Sequence, residues 1–182
     1  MEELSLNVLD VAQNGITAGA TLMRISVDAD SGEDTLVIEI KDNGCGMSPE
    51  QVSSVEDPFF TTRTTRPVGL GVPLFKMAAE QSGGRFEIVS EQGAGTVVRA
   101  EFGLSHIDRM PLGDINSTIC TLVTFNPDVN FVYEYKADGE GFTLDTREFR
   151  AILQGIPLDS PEVLAYIREY LEENTKEVGL VI

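Results

Sequence analysis

The chain has 182 residues, of which 13 are basic and 30 are acidic, so its formal net charge is −17. This length suits one large domain, or one medium domain with a small appendage. Binding to DNA or RNA depends largely on Lys and Arg that neutralise phosphates, so the acidic charge argues against a nucleic-acid partner. No apolar run approaches the roughly 20 residues needed to cross a bilayer, and the first residues, Met-Glu-Glu-Leu-Ser, lack the features of a secretory signal. We therefore expect a cytoplasmic protein without a membrane partner.

The first 104 residues predict an α+β fold, namely a two-layer α/β sandwich with helices on one face of a sheet. Segments with helical spacing of apolar residues alternate with segments in which every second residue is apolar. Ser48-Pro49-Glu50 marks a helix start, because serine is a good N-cap and proline suits the first helical position. The predicted elements are a helix over 4–18, strands over 22–28 and 35–41, a short helix from 49, a helix over 72–81, and strands over 86–90 and 96–102.

After Leu104 the pattern of elements begins again. We predict a small α/β appendage over 105–182, with a role in protein interaction or dimerisation, and a domain boundary between 1–104 and 105–182. Asp145-Thr146-Arg147-Glu148 resembles a capping box, and Ser160-Pro161-Glu162 places proline after an N-cap, so each should open a helix. Strands are predicted over 118–125, 131–136 and 142–144.

Four short motifs follow one another within the first part. Asp10 and Asn14 are four residues apart on the first helix and therefore face the same way. The second strand ends in Asp42-Asn43-Gly44-Cys45-Gly46-Met47, Gly69-Leu70-Gly71 precedes a helix, and Gly93-Ala94-Gly95-Thr96 precedes the last strand. The set resembles the N, G1, G2 and G3 boxes of the GHKL ATPases, which include DNA gyrase, the heat-shock chaperone ATPase, histidine kinases and MutL-type proteins. Each motif alone is weakly specific, but four in order are a strong signal for this ATP-binding (Bergerat) fold.

The resemblance implies an adenine pocket around Asp42. A buried carboxylate is a suitable acceptor for the exocyclic amine of adenine, Gly44 and Gly46 would let the base approach the backbone, and Met47 would form an apolar wall. Thr96 matches the threonine that helps to bind the adenine edge. Taken alone, Asp-Asn-Gly could be a simple turn, and Thr96 could be an ordinary strand residue.

The resemblance also implies that Asn14 ligates the Mg²⁺ that bridges the phosphates, because an amide oxygen suits a hard cation. Asparagine has poor helix propensity, so its place inside a helix favours such a role over simple solvent exposure. Asp10 stands where the family usually has a Glu that orients or deprotonates the attacking water or hydroxyl. Because Asp is one methylene shorter and catalysis is sensitive to placement, we expect a catalytic Asp10 with slow unaided turnover.

The phosphates of ATP are expected at the helix that follows Gly69-Leu70-Gly71, where free N–H groups and the positive end of the helix dipole face the ligand. Val72 would contribute to this contact, and Leu70 would cover apolar surface near the base or ribose. The preceding loop looks like the ATP lid of histidine kinases. Its cations Arg63 and Arg66 are therefore candidate phosphate contacts.

Two subgroups of the family compete as models for this chain. Residues 7–47 look somewhat like MutL, whereas the short lid and Gly69-Leu70-Gly71-Val72-Pro73-Leu74 look like histidine kinases and anti-sigma-factor kinases. The chain has no room for the transducer domain of the MutL and gyrase type, which favours the kinase-like side. The lone histidine, His106, follows the first part and is either a phospho-acceptor or a surface or capping residue.

The favoured function is a stand-alone, Mg-ATP-binding regulatory protein that acts as an anti-sigma-like protein kinase or as an ATP-dependent switch. Its expected ligands are ATP and ADP, and its expected macromolecular partners are a protein regulator or phospho-acceptor and a second copy of the chain. One alternative is a slow ATPase that drives self-association. Another is a nucleotide sensor without chemistry, which would not need Asp10.

Overall fold

The computed structural model describes residues 3–57 and 70–179, which form six helices and six strands. The helices are α1 (Leu4–Thr17), α2 (Pro49–Glu56), α3 (Gly71–Gln81), α4 (Ile115–Phe125), α5 (Thr146–Leu153) and α6 (Pro161–Val178). The strands are β1 (Leu22–Asp30), β2 (Thr35–Asp42), β3 (Arg85–Glu91), β4 (Gly95–Gly103), β5 (Asn130–Ala137) and β6 (Glu140–Asp145). None of the helices described here is both long and apolar enough to cross a membrane.

The six strands form one mixed sheet in the order β3-β4-β2-β1-β5-β6, in which β1 and β5 are parallel and the other neighbours antiparallel. One row of register partners across the sheet is buried: Val98, Ile40, Ile25, Tyr133 and Leu144. The adjacent row points to the other side and is not buried: Arg99, Glu39, Ser26, Glu134 and Thr143. Because strand side chains alternate between faces, the helices cover one face and the other is polar. The predicted α+β sandwich is confirmed.

Helix α1 is held at its first turn by the segment that precedes α4. The first N–H groups of a helix have no partner within the helix, and Glu3 at the N-cap provides no side-chain bond. Instead, the N–H groups of Leu4 and Ser5 donate to the carbonyl oxygens of Pro111 and Leu112 at 2.9 and 2.8 Å. Residues beyond 104 therefore fix the start of the helix that contains Asp10 and Asn14.

Residues on both sides of position 104 share one sheet and one core. β5 pairs with β1 at eight successive positions, from Leu22 opposite Asn130 to Ala29 opposite Ala137. A continuous cluster of buried side chains includes Val8 of α1 together with Ile119 of α4 and Ile167 of α6. The segment 105–179 thus extends the sheet and the core of the first part, and neither is interrupted at residue 104.

The predicted strand over 118–125 is wrong, because these residues lie in the helix α4. Its buried residues include Ile115, Ile119, Leu122 and Val123, a spacing that matches a helix rather than a strand. Asp114 caps the helix by accepting a hydrogen bond from the N–H of Ser117 at 3.0 Å. β-branched residues favour strands only weakly, and burial against α1 and α6 outweighs that preference here.

The other predicted elements are confirmed, with small shifts at their ends. β1 and β2 form the expected hairpin. α2 begins with a full capping box, in which Gln51 N donates to the hydroxyl of Ser48 and Ser48 N donates to the side chain of Gln51. Asp145 caps α5 through the N–H of Arg147, and α6 begins after Ser160. The sequence was most informative where a capping residue marked a boundary.

Replacing Ile119 tests the shared core. Ile119 is fully buried, so Ile119→Ala should lower the free energy of unfolding by about 2–5 kcal/mol. Denaturant unfolding should still occur in one transition for the whole chain, because α4 packs on α1. As a control on the same helix, Phe125→Ala should change stability by less than about 0.5 kcal/mol, since Phe125 is 78% exposed. Two transitions, of which only one is shifted by Ile119→Ala, would contradict a single core.

Candidate functional site

A cavity of about 180 Å³ lies between α1, the end of β2 and the start of β4. Six of the site residues predicted from the sequence line it: Asn14, Asp42, Gly46, Met47, Val72 and Thr96. The rest of its lining consists of apolar or small residues: Val11, Gly15, Ala18, Val55, Ile88 and Val98. The site is thus a mainly apolar pocket with a few polar groups, which is the usual composition of a small-molecule site.

Asp42 supplies the carboxylate of this cavity and is half-buried at the end of β2. Its Oδ1 accepts a hydrogen bond from the N–H of Gly44 at 2.8 Å. Burial raises the pKa of Asp42, and backbone hydrogen bonds from Gly44 and Thr96 partly oppose this rise. A Cβ on Gly15 would lie 2.7 Å from Cε of Met23 and 2.8 Å from Oδ2 of Asp42, so a larger residue at this place on α1 would require these side chains to shift.

The loop that follows Asp42 is fastened to two neighbouring elements. Cys45 N donates to the carbonyl of Ala18 at the end of α1 (2.9 Å), and the carbonyl of Cys45 accepts from Gly93 N in the β3–β4 turn (2.7 Å). Met47 N donates to the hydroxyl of Ser90 at 2.8 Å. That hydroxyl lies 2.7 Å from the hydroxyl of Thr96. Backbone and hydroxyl groups therefore fix Met47 and Thr96 on the two sides of the cavity.

Gly46 has a φ of +70°, in the left-handed region that favours glycine. A Cβ at this position would lie 1.9 Å from the carbonyl oxygen of Glu91, far inside van der Waals contact. The loop can approach β3 this closely only because residue 46 lacks a side chain. Gly44, which was also predicted to make room for a ligand, instead faces Ala18 and Asp42 and does not line the cavity.

Asn14 and Asp10 lie one turn apart on α1, as the sequence predicted. Asn14 is half-buried at the cavity. Within the described ranges 3–57 and 70–179, its side chain forms no hydrogen bond, which leaves the amide oxygen available to a ligand. Asp10 does not line the cavity but packs against Gly71, where a Cβ would lie 2.8 Å from the Cβ of Asp10. Partial burial raises the pKa of the Asp10 carboxyl, although the residue as a whole is exposed.

Helix α3 begins beside Asp10, against which its first residue, Gly71, packs. Val72 is buried and lines the cavity. Leu70 is the N-cap residue and is 49% exposed, so it faces solvent and is not part of the cavity wall. Gly69, Arg63 and Arg66, with the predicted lid around them, lie outside the described residues.

His106 is placed away from the cavity. It is exposed, and its Nδ1 accepts a hydrogen bond from the N–H of Asp108 at 3.1 Å. It packs beside Gly83 and Gly103, at the opposite end of β4 from Thr96. Of the two alternatives considered for this residue, the geometry matches a surface residue that caps a turn.

Ser90 and Gly15 are site residues that the sequence did not reveal. Ser90 contacts Met47 and Thr96 but does not line the cavity itself. A hydroxyl residue in a strand has no distinctive sequence pattern. Gly15 could have been noticed, because glycine inside a helix costs stability and calls for a packing reason. Its position directly after Asn14 and its contact with Asp42 supply that reason.

A family model described as "Histidine kinase-, DNA gyrase B-, and HSP90-like ATPase" matches residues 1–106. The chain belongs to this ATPase family. It is 34% identical over 97 residues to the sensor histidine kinase ZraS of Salmonella typhimurium, covering 53% of this chain and 21% of that protein. It is 33% identical over 101 residues to the sensor protein SrrB of Staphylococcus aureus, covering 53% and 17%. The chain therefore matches about a fifth of the length of these curated relatives.

Two solved structures share the fold of this ATPase-family chain. The N-terminal domain of a DNA repair protein has a TM-score of 0.55 at 15% identity, covering 80% of this chain and 52% of that one. The Aquifex aeolicus MutL ATPase domain complexed with ADP has a TM-score of 0.50 at 16% identity, covering 85% and 70%. The region that matches the family model, residues 1–106, is less than 80% of the 182-residue chain. The structural likeness therefore continues into the C-terminal segment.

Gly46→Ala should destabilise the protein more than Gly93→Ala. Both glycines have positive φ values, +70° and +83°, so alanine at either position costs about 1–2 kcal/mol of backbone strain. Only at Gly46 must the backbone of Glu91 also move, because nothing lies within 4 Å of a Cβ on Gly93. Denaturant unfolding of the two variants measures the difference. Equal losses would contradict the close contact between the loop and β3.

Proposed function

We propose that this chain binds Mg-ATP or Mg-ADP at the cavity between α1, β2 and β4. We further propose that it acts as a regulatory protein of the histidine kinase-like ATPase type, either as a protein kinase or as an ATP-dependent switch. The observation that carries the proposal is a half-buried carboxylate, Asp42, in an apolar cavity of a chain that belongs to this ATPase family. The base of the nucleotide is assigned to this cavity, and the metal and the phosphates are assigned to the neighbouring surface.

The cavity suits the base of the nucleotide rather than the whole molecule. Its volume of about 180 Å³ is below the roughly 300–1,000 Å³ of typical ligand pockets. Met47 and Val98 supply apolar walls, and the carboxylate of Asp42 would accept the exocyclic amine of adenine. Ser90 acts on this site as a positioning residue, since its hydroxyl holds Met47 and Thr96.

The metal and phosphates are assigned to the surface between Asn14 and the start of α3. In the described part of the chain, no group of three or more His, Cys, Asp or Glu side chains could hold a metal ion by itself. A single amide oxygen from Asn14 fits Mg²⁺, which usually keeps waters and substrate phosphates as its other ligands. Bound Mg²⁺ would neutralise phosphate charge. The N–H groups of Gly71 and Val72 at the start of α3 suit phosphate oxygens.

Asp10 is the proposed catalytic residue. It shares a face of α1 with Asn14 and lies against Gly71 at the start of α3, next to the assigned phosphate position. Its raised pKa moves the carboxyl toward the range in which a general base is effective. Asp10 would orient or deprotonate the attacking water or hydroxyl. Because its side chain is short and exposed, a sensor without chemistry is the second candidate function.

Residues 105–182 are proposed to bind a protein partner, with a homodimer as a second arrangement. In the curated relatives named above, the matched region is a small part of a longer sensor protein. A chain that uses the same ATPase domain for regulation needs a surface through which the nucleotide state reaches another protein. The C-terminal segment suits this role because it is tied to α1 through Pro111 and Leu112.

Asp42→Asn should weaken ATP binding while leaving GTP binding unchanged or improved. The substitution removes the acceptor for the adenine amine and supplies an N–H group that suits the carbonyl of guanine. A lost partner of this kind costs roughly 1–3 kcal/mol, or about 5- to 150-fold in affinity. Calorimetric titration of both nucleotides measures the effect, with Glu39→Gln on the polar face of the same strand as the control. An unchanged ratio of ATP to GTP affinity would overturn the assignment of the adenine pocket.

The stability of Asp42→Asn relative to the parent protein should depend on pH. Burial raises the pKa of Asp42 in the folded state. At a pH above that folded-state pKa, the ionised carboxylate therefore lowers the stability of the folded protein. Asp42→Asn should therefore be at least as stable as the parent protein at pH 7. This advantage should disappear as the pH falls below the unfolded-state pKa, where the carboxyl is protonated in both states. A loss of ATP affinity caused by misfolding would instead appear as lower stability at pH 7.

Two substitutions on α1 separate metal binding from catalysis. Asn14→Ala should weaken ATP binding in Mg²⁺ far more than in EDTA, because it removes a metal ligand. Asp10→Asn should keep ATP affinity within a few-fold but lower turnover or phosphoryl transfer by about 10²–10⁴-fold, the usual contribution of a general base. Binding and turnover of both variants are measured together. Equal losses for Asn14→Ala in Mg²⁺ and EDTA would make Asn14 structural, and unchanged turnover in Asp10→Asn would remove its catalytic role.

A further inference from the structure

Three exposed apolar side chains lie on α5, on α6 and in the loop that joins them. We call Ile152, Ile156 and Tyr166 the α5–α6 tip; they are 76%, 54% and 57% exposed. α5 ends at Leu153 and is followed by Gln154 and Gly155, which both have positive φ values. This turn places Ile156 beyond the end of the helix, and Leu158 then returns to the core with 1% exposure. The chain thus buries one apolar residue here and leaves its neighbours in solvent.

A series of packed aromatic rings supports the tip. Tyr166 makes an edge-to-face contact with Phe149 at a centroid distance of 5.7 Å. Phe149 contacts Tyr170 at 6.1 Å, and Tyr170 contacts Phe142 at 6.0 Å, also edge to face. Phe142 packs on the fully buried Tyr133. Tyr166 is therefore held by rings that reach the core, and rigid aromatic anchors of this kind are typical of binding hot spots.

The charged groups around the tip are mainly acidic. Exposed carboxylates on α5, on α6 and in the connecting loop are Glu148, Asp159, Glu162 and Glu169. Among the described residues, none of these four forms a salt bridge within 4 Å. Two cations on α5 have partners: Arg147 with Asp145, and Arg150 with Asn130 and the carbonyl of Pro127. On α6 near Tyr166, the exposed Arg168 is outnumbered by the four carboxylates. The tip therefore presents an apolar centre with a negative rim.

We propose that the α5–α6 tip binds a cationic amphipathic helix of a partner protein. Apolar side chains of that helix would contact Ile152, Ile156 and Tyr166, and its Lys or Arg residues would face the carboxylates. A second copy of this chain is disfavoured as the occupant, because each copy has a net charge of −17 and would repel the other. The inference rests on the partner-binding role proposed for residues 105–182, and it names the surface and the partner chemistry.

The tip and the nucleotide cavity lie on different parts of the sheet. The cavity is formed at β3, β4 and β2, whereas the aromatic series below the tip stands on β5 and β6. A partner helix at the tip would leave Asp42 and Asn14 accessible. Substitutions at the tip should therefore leave nucleotide affinity unchanged, which allows the two sites to be tested independently.

The test uses a labelled peptide of about 18 residues in which Leu occupies one helical face and Lys the other. Its binding to the full chain is followed by fluorescence anisotropy. The double variant Ile152→Ser/Ile156→Ser should bind it about tenfold more weakly or worse, since hot-spot residues each contribute more than about 1 kcal/mol. Phe125→Ser is the control, because Phe125 is an apolar residue on α4 that is at least as exposed as Ile152 and Ile156; it should bind within twofold of the parent (about 0.4 kcal/mol).

A second pair of variants tests the negative rim. Glu162→Gln/Glu169→Gln should weaken peptide binding a few-fold and reduce its dependence on salt. Glu87→Gln/Glu39→Gln, on the polar face of the sheet, removes the same charge elsewhere and should have a smaller effect. Equal losses in the two pairs would mean that the peptide responds only to the overall charge, and would overturn the proposal.

Two further outcomes would also overturn the inference. One is equal peptide affinity for the Ser double variant and the Phe125→Ser control. The other is self-association of the parent chain that disappears in the double variant, because the occupant would then be a second copy. Failure of the parent chain to bind ATP, with the difference between the tip and control variants preserved, would reject the proposed nucleotide function and leave this inference standing.

Discussion

The close contact between α1 and the end of β2 is the constraint on which the site depends. Gly15 lets the helix approach until only 2.8 Å would separate a Cβ from Oδ2 of Asp42. This approach buries the carboxylate, raises its pKa, and places Asn14 at the edge of the same cavity. A larger residue would require the side chains of Asp42 and Met23 to shift, which would change the position of the carboxylate. The chemistry of the site is therefore a product of helix–sheet packing as much as of the functional residues themselves.

The parts of the structure that follow local rules could be predicted from the sequence. The hairpin of β1 and β2, the capping box at Ser48 and the placing of Asp42 at a strand end all depend on neighbouring residues. Six of the predicted site residues meet at one cavity because the motifs lie at the ends of such elements. The strand predicted over 118–125 is wrong because Ile115, Ile119 and Leu122 have helical spacing and lie together on the buried side of α4.

The remaining features depend on contacts between distant parts of the chain. The pairing of β1 with β5 joins segments about a hundred residues apart, and neither strand has a local mark of its partner. The hydroxyl of Ser90 acts on Met47 and Thr96 from another strand. The division expected at residue 104 rests on a restart in the order of elements, and the buried cluster contains residues from both sides of that position. Long-range packing of this kind leaves little signal in a single sequence.

The parallel pairing of β1 with β5 also determines the order in which the chain can fold during synthesis. Until residues 130–137 leave the ribosome, one edge of β1 has no partner strand. The apolar residues of β1 that are buried in the folded protein then lie next to this open edge, and such edges promote aggregation. The first turn of α1 likewise waits for Pro111 and Leu112. The ATPase motifs are made early, but the structure that stabilises them is completed late. Slow, topology-limited folding is the expected consequence, since non-local contacts must form before they contribute stability.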